Sequence, residues 1–374
     1  MTTTTQEQLN WLRLARSENV GKSTFFRLIK IFGSAQKALE RIADLSQRGG
    51  LSHKIKICSV ADAEKEFSDT KKFGAEILLF SDENYPRLLR EISDPAPILT
   101  VKGDVEFFQN DTIAIVGPRN ASFNGIAFAK KVALELGQNS IITVSGMARG
   151  IDAAAHEASI LSGTIGVIGG GINNIYPSEN SKLFEQVMKR GLLVTEVPFG
   201  APPQGGNFVQ RNRLISGLSL AVIVVEAGLK SGSLITARFA AEQGREVFSV
   251  PGSPFDPRCR GTNRLIKDGA NMFENIEDLL NELPNLRARF SVAGKLCEPE
   301  VEDFIAPISK MPSDSDIQKI REEILTKISF VPIAIEDLIQ DLQEPARLVN
   351  IAIVQLELAD KIDVSSGKIS LRPR

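Results

Sequence analysis

Six side chains suited to gripping a nucleic-acid strand fall at or just after the predicted ends of apolar strands: Arg119, Arg149, Phe208, Arg211, Arg213 and Lys230. Guanidinium and ammonium groups take phosphates, and an aromatic ring stacks on a base at about 1–3 kcal/mol. This mixture is the chemistry of a groove for single-stranded nucleic acid. Glycines among them let backbone N–H groups approach an anion: Gly117 beside Pro118 and Arg119, Gly146 ahead of Arg149 and Gly150, and the triplet Gly169, Gly170 and Gly171. The run "GLKSGS" at 228–233 closes with Ser231, Gly232 and Ser233. Helices predicted to begin after Gly150 and Ser233 would add positive half-dipoles at the same end of the sheet. Phe208 stands in "PFGAPPQGGNFVQ", whose Gly, Pro and Gln content predicts an exposed loop. Arg211 and Arg213 would take phosphates on its rim, with Asn212 ordering the segment.

Other chemistries find fewer residues. No G-x-G-x-x-G follows the strand "TIAIVG", and no P-loop occurs anywhere in the chain, so neither a dinucleotide nor an ATP cofactor is expected. The three cysteines, Cys58, Cys259 and Cys297, are far apart, and the two histidines are His53 and His156, so no metal site and no disulfide frame is predicted. Ser145 lies outside a G-x-S-x-G elbow, and His156 falls within an alanine-rich helix, where it has a structural role. No catalytic residue is assigned. Glu196 and Glu226, at strand ends, keep open an enzyme acting on a nucleotide or its base in the same cleft. A third reading is an interaction scaffold whose tail docks a partner.

The elements that would position these groups divide the 374 residues into segments. Helical periodicity with glycine turns at Gly21 and at Gly49 and Gly50 predicts a helical domain over 1–70 that resembles a helix-hairpin-helix or SAM-like unit, the alternative being a small helical adaptor bundle with a solvated basic surface. Over 75–285, eight apolar runs from "EILLFS" to "EVFSVPG" alternate with helices. That pattern predicts an α/β fold, an extended Rossmann-like, doubly wound and mostly parallel sheet with its ligand at the C-terminal strand ends. A Pro-, Glu-, Asp- and Ser-rich linker is expected over 286–315, then a winged helix over 316–374 built from three helices and a hairpin. Residues 1–60 carry ten Lys and Arg against four Asp and Glu, whereas 291–374 carry ten against fifteen. A basic head points to phosphate, while the acidic third helix of the tail, with Arg347 its only basic residue, points to protein packing. No apolar run approaches the ~20 residues of a membrane span and no signal peptide is evident, so a cytoplasmic protein without membrane contact is expected.

Four ordered runs, "SGMARGIDAAAHEASI", "GNFVQRNRLISGLS", "VVEAGLKSGSLITARFAAEQGREVFSVPGS" and "RGTNRLIKDGA", resemble the DNA-processing protein A family, also called Smf, over residues 75–283. The head and tail resemble that family's optional flanking domains. The resemblance implies a non-catalytic single-stranded DNA-binding protein, a homodimer through its Rossmann-like domain. It also implies that the protein protects incoming strands and loads the RecA recombinase in natural transformation and recombination. It places the family's glycine–hydroxyl–arginine motif on Gly117, Pro118 and Arg119, the stacking ring on Phe208, and further basic contacts on Arg211, Arg213 and Lys230. Pro118 departs from the family's Ser or Thr, which removes a hydroxyl and a backbone N–H from the phosphate pocket.

Overall fold

A computed structural model of the chain describes residues 5–296, 314–365 and 367–372. It divides into two units, one formed by residues 68–92 and 99–298, the other by 1–67, 93–98 and 299–374.

The larger unit is built on a nine-stranded sheet in the order β1-β2-β6-β5-β4-β3-β7-β8-β9. Its strands are β1 (Glu76–Leu79), β2 (Ile98–Gly103), β3 (Thr112–Val116), β4 (Ile142–Ser145), β5 (Thr164–Val167), β6 (Leu192–Thr195), β7 (Ala221–Val224), β8 (Glu246–Ser249) and β9 (Asn271–Met272). Pairing is parallel from β6 across to β9, and β2 joins β6 antiparallel with Thr100 opposite Thr195. Every residue of β3 through β7 is buried. Helices cover both faces of these strands, so Val, Ile and Leu run on without the polar alternation of a half-exposed sheet. One face meets helices Phe123–Gln138 and Ile151–Ser159 through Val132, Leu136 and Ile151, joined by Phe248 and Phe273. The other meets helix Ser181–Arg190 through Phe184 and Val187, packed with Met147, Ile168 and Leu193. From β3 the chain winds outward through β4, β5 and β6, then returns to β7 on the opposite side of β3. That reversal opens a crevice at the C-terminal ends of the central strands, where open α/β sheets take their ligands.

The smaller unit joins a helical head to a winged helix. In the head, helices Thr5–Ala15, Lys22–Phe32 and Ala35–Arg48 close over Trp11 and Phe25, whose rings lie 4.9 Å apart. The winged helix has helices Asp314–Lys327, Ile335–Leu342 and Ala346–Leu358. Its three-stranded antiparallel sheet is β10 (Ile333–Ala334), β12 (Lys368–Leu371) and β11 (Ile362–Ser365) in that order. Ile320, Ile324, Leu338, Val349, Leu356 and Ile369 fill its core. Helix Ala346–Leu358 is buried from Ile351 to Leu358 because its second side lies on the head. There Asn19 Nδ2 donates to Leu358 O at 3.0 Å, and Arg27 stands 3.6 Å from Glu357. The carbonyl of Gln355 comes so close to Gly49 that any Cβ there would overlap it, so this glycine serves the packing of two segments. The acidic third helix is therefore held against protein, as its charge indicates.

Helix Ile276–Leu296 continues into the segment expected to be linker, whose residues 297–313 lie outside the described residues, as do Cys297 and Ser366. Among the described residues, no helix is long and apolar enough to cross a membrane.

Candidate nucleic-acid interface

Two neighbouring cavities open at the C-terminal ends of the central strands, about 440 and 250 Å³ in volume. Phe208, Arg119, Ala148 and Arg211 line both, so these residues form the wall between them. Arg119 follows β3 and is exposed, and its guanidinium carbon lies 5.6 Å from the centroid of Phe208. An aromatic ring on which a base can stack and a cation for a phosphate thus stand side by side.

Phe208 is not in a loop. It lies in the first turn of helix Gly205–Gly217 and is half-buried against Tyr176, with ring centroids 5.3 Å apart. Gly205 and Gly206 open this helix, and their low helical propensity hid it among the preceding prolines.

The larger cavity is walled by Gly117, Arg119, Asn212 and the start of helix Gly232–Glu242. Ser231 caps that helix: its Oγ accepts from Ser233 N at 3.4 Å and lies 2.7 Å from Ser233 Oγ. Asn212 Nδ2 donates to Gly232 O at 3.4 Å, joining the two helices across the cavity. The N-terminus of this helix gives the wall a partial positive charge suited to phosphate. Pro118 lines the same cavity and contributes no N–H; on the opposite wall Ser231 N donates to Gly228 O and Ser233 N to Ser231 Oγ, which leaves the Gly232 amide.

Arg211 and Arg213 sit differently from a phosphate-gripping rim. Arg211 is 6% exposed; its Nη1 donates to Val167 O at 2.6 Å, and the guanidinium lies beside Asp152. It passes so near Gly146 that a Cβ there would overlap it, which is why a glycine follows β4. Burial lowers the Arg211 pKa to about 10, opposed by Asp152 and aided by Arg119. Burial likewise raises the Asp152 carboxyl, while Arg211 and the amide of Ala148 pull it down. Arg213, 1% exposed, is ion-paired to Glu196 and lines neither cavity. The assigned contacts Arg211 and Arg213 are thus anchors of the helix that carries Phe208.

Of the remaining predicted residues, Gly146 and Arg149 line the smaller cavity. Gly150, at φ 77°, caps helix Ile151–Ser159 beneath the Pro118 carbonyl. Gly170 packs on Pro203, and Lys230 is exposed outside both linings. Glu226 accepts from the Ser122 amide at 3.0 Å and from its hydroxyl, capping helix Phe123–Gln138. Both carboxylates of the enzyme reading are therefore engaged in structural bonds. His156 is buried and its pKa is lowered to about 3, first by burial and then by Arg211. Its Nδ1 is 2.7 Å from Thr164 Oγ1, which gives its own proton to Thr143 O, so Nδ1 is the donor of a neutral imidazole. Among the described residues no group of His, Cys, Asp or Glu is arranged to hold a metal.

Tyr176, Asp152 and Asn120 belong to the cavity walls and escape a reading based on strand-end arginines. The aromatic in "GGGINNIYPSENS", close behind the triple glycine, is the signal for Tyr176.

The model of the family described as DNA recombination-mediator protein A matches residues 76–284. Models of a DprA-like N-terminal HHH domain and a DprA winged helix domain match 5–68 and 309–368. The DNA processing protein DprA of Bacillus subtilis is 43% identical over 221 residues, 58% of this chain and 74% of that protein. Protein Smf of Escherichia coli is 35% identical over 294 residues, 78% of this chain and 76% of that one. The structure of Streptococcus pneumoniae DNA processing protein A superposes with TM-score 0.63 at 31% identity, covering 75% of this chain and 99% of the other. That of the Helicobacter pylori protein, described for its single-stranded DNA binding mode, superposes with TM-score 0.52 at 31% identity, covering 56% and 96%.

Proposed function

Since the chain belongs to the DNA recombination-mediator protein A family, we propose that its central domain binds single-stranded DNA across the wall formed by Phe208 and Arg119, without catalysis. The observation that carries this reading is the guanidinium of Arg119 over the Phe208 ring, beside a cavity walled by the N-terminus of helix Gly232–Glu242. A base stacks on the ring, and its phosphate meets Arg119 and that helix N-terminus. The Helicobacter pylori relative described as a single-stranded DNA binder supports it. The same reading makes the protein a cytoplasmic homodimer through its Rossmann-like domain that shields incoming strands in natural transformation and passes them to RecA, which assembles its filament on the bound strand.

Fluorescence anisotropy with labelled oligo-dT, titrated against salt, tests the binding. Arg119→Ala and Phe208→Ala are each expected to weaken it about 10-fold. Arg119→Ala should also flatten the plot of log affinity against log salt by about 0.7, the share of one phosphate contact on a single strand. Unchanged affinity in both variants, or preference for duplex DNA, would refute the assignment.

A further inference from the structure

Resting on that reading, we infer that the smaller cavity is a second base subsite, in which Tyr176 stacks the nucleotide next to the one on Phe208. Tyr176 is 45% exposed although it is a large aromatic packed against another ring. A ring that served only to support Phe208 would be covered on its far side; this one faces a 250 Å³ cavity. The two rings are tilted by 43°, so one base cannot cover both, yet their 5.3 Å spacing is within one nucleotide step of an extended strand.

Tyr176 is held in place before any ligand arrives. On one side Asn174 Nδ2 donates to Ala201 O at 2.8 Å, and on the other Asn180 Nδ2 donates to Met147 O at 3.0 Å. Phe208 is fixed as well, since a Cβ on Gly169 would come within 3.0 Å of its Cδ1. Two aromatic side chains already ordered lose little freedom on binding, which is what a stacking platform requires.

Polar groups at the mouth match the edge of a base. Arg149 Nη1 and Glu179 Oε1 are paired at 3.3 Å, and both residues line the cavity. The Glu179 carboxylate accepts from base N–H groups, and the Arg149 guanidinium donates to base carbonyls and ring nitrogens. The occupant is a base against the exposed Tyr176 ring, and Arg119, which lines both cavities, meets the phosphate between the two nucleotides.

The full chain and its Tyr176→Ala, Tyr176→Phe and Phe208→Ala variants would be titrated with a short oligo-dT carrying one 5-iodouracil. Ultraviolet adducts would then be mapped by mass spectrometry as the iodouracil is moved along the strand. Tyr176→Ala is expected to weaken binding by about 5- to 150-fold, the range for losing one base stack. Tyr176→Phe should restore affinity to within about 2-fold, since the ring and not the hydroxyl does the stacking. Adducts on Tyr176 and on Phe208 should come from adjacent strand positions. If Tyr176→Ala weakens binding while no adduct ever forms on Tyr176, the residue only props Phe208 and the subsite is refuted. If Tyr176→Ala binds as the parent does while Phe208→Ala does not, the subsite fails and the reading it rests on stands. If neither variant changes affinity, the single-strand reading itself fails.

Discussion

Arg119 and Arg211 lie within one cavity wall but have opposite surroundings: Arg119 is exposed over an aromatic ring, whereas Arg211 is buried against Asp152 and the Val167 carbonyl. Truncating a buried arginine leaves its carboxylate partner without compensation, at a cost of about 3–5 kcal/mol. Arg211→Ala is therefore expected to lower the unfolding free energy of the chain by about that amount in a denaturant titration. Arg119→Ala, at an exposed site, should leave it within about 0.5 kcal/mol. Equal stabilities for the two variants would show that Arg211 is not the anchor its bonds make it. The sequence displays both residues as basic groups near strand ends and nothing more. Arginine is exposed by habit, and the facts that bury Arg211 are supplied by Asp152, Gly146 and Val167, which reach it only through the fold. The same holds for Arg213, whose partner Glu196 follows a different strand.

Helices and strands were legible to the degree that burial shaped their sequence. β3 through β7 are covered on both faces, which forces continuous apolar runs that stand out. β9 is an edge strand of two exposed residues, Asn271 and Met272, and carries no such signal. Helix Gly205–Gly217 was hidden by its own opening glycines, so Phe208 read as a loop residue. Helix Ala346–Leu358 shows a different consequence of burial. Its Glu357, beside Thr24 and Arg27 of the head, has its pKa raised to about 7, chiefly by burial and slightly by Asp363, with Thr24 and Arg27 opposing. The unfolded value is near 4.3, so the folded state holds the proton more tightly than the unfolded one. Its stabilising contribution is complete below about pH 4 and is lost as pH rises through about 7. Glu357→Gln, which stays neutral, should thus stabilise the smaller unit more at pH 8 than at pH 5, by a difference on the order of 3 kcal/mol. Denaturant midpoints of the two proteins at both pH values would test this, and parallel pH profiles would contradict it.

Across the whole chain, the net charge of −2 conceals opposed ends: an excess of six positive charges over residues 1–60 and of five negative charges over 291–374. Head and winged helix share one unit, where Arg27 lies 3.6 Å from Glu357 and Asn19 is bonded to the end of helix Ala346–Leu358. Packing two oppositely charged segments together weakens the field either would project, and non-specific attraction to a polyanion depends on that field. The acidic tail is accordingly expected to screen the basic head and to weaken its attraction to a duplex. A chain ending at Phe290 loses the tail's negative excess and becomes net positive. It is expected to bind duplex DNA at least about 5-fold more tightly than the full chain at low salt, with a steeper salt dependence. At about 0.2 M salt the two should converge, because exposed charges are screened beyond a Debye length of ~10 Å or less. Anisotropy titrations of both proteins with the same duplex at the two salt concentrations decide the matter. Identical duplex affinities at low salt would mean that the tail does not screen the head, whereas a difference that persists at high salt would assign the effect to uncovered apolar surface instead of charge.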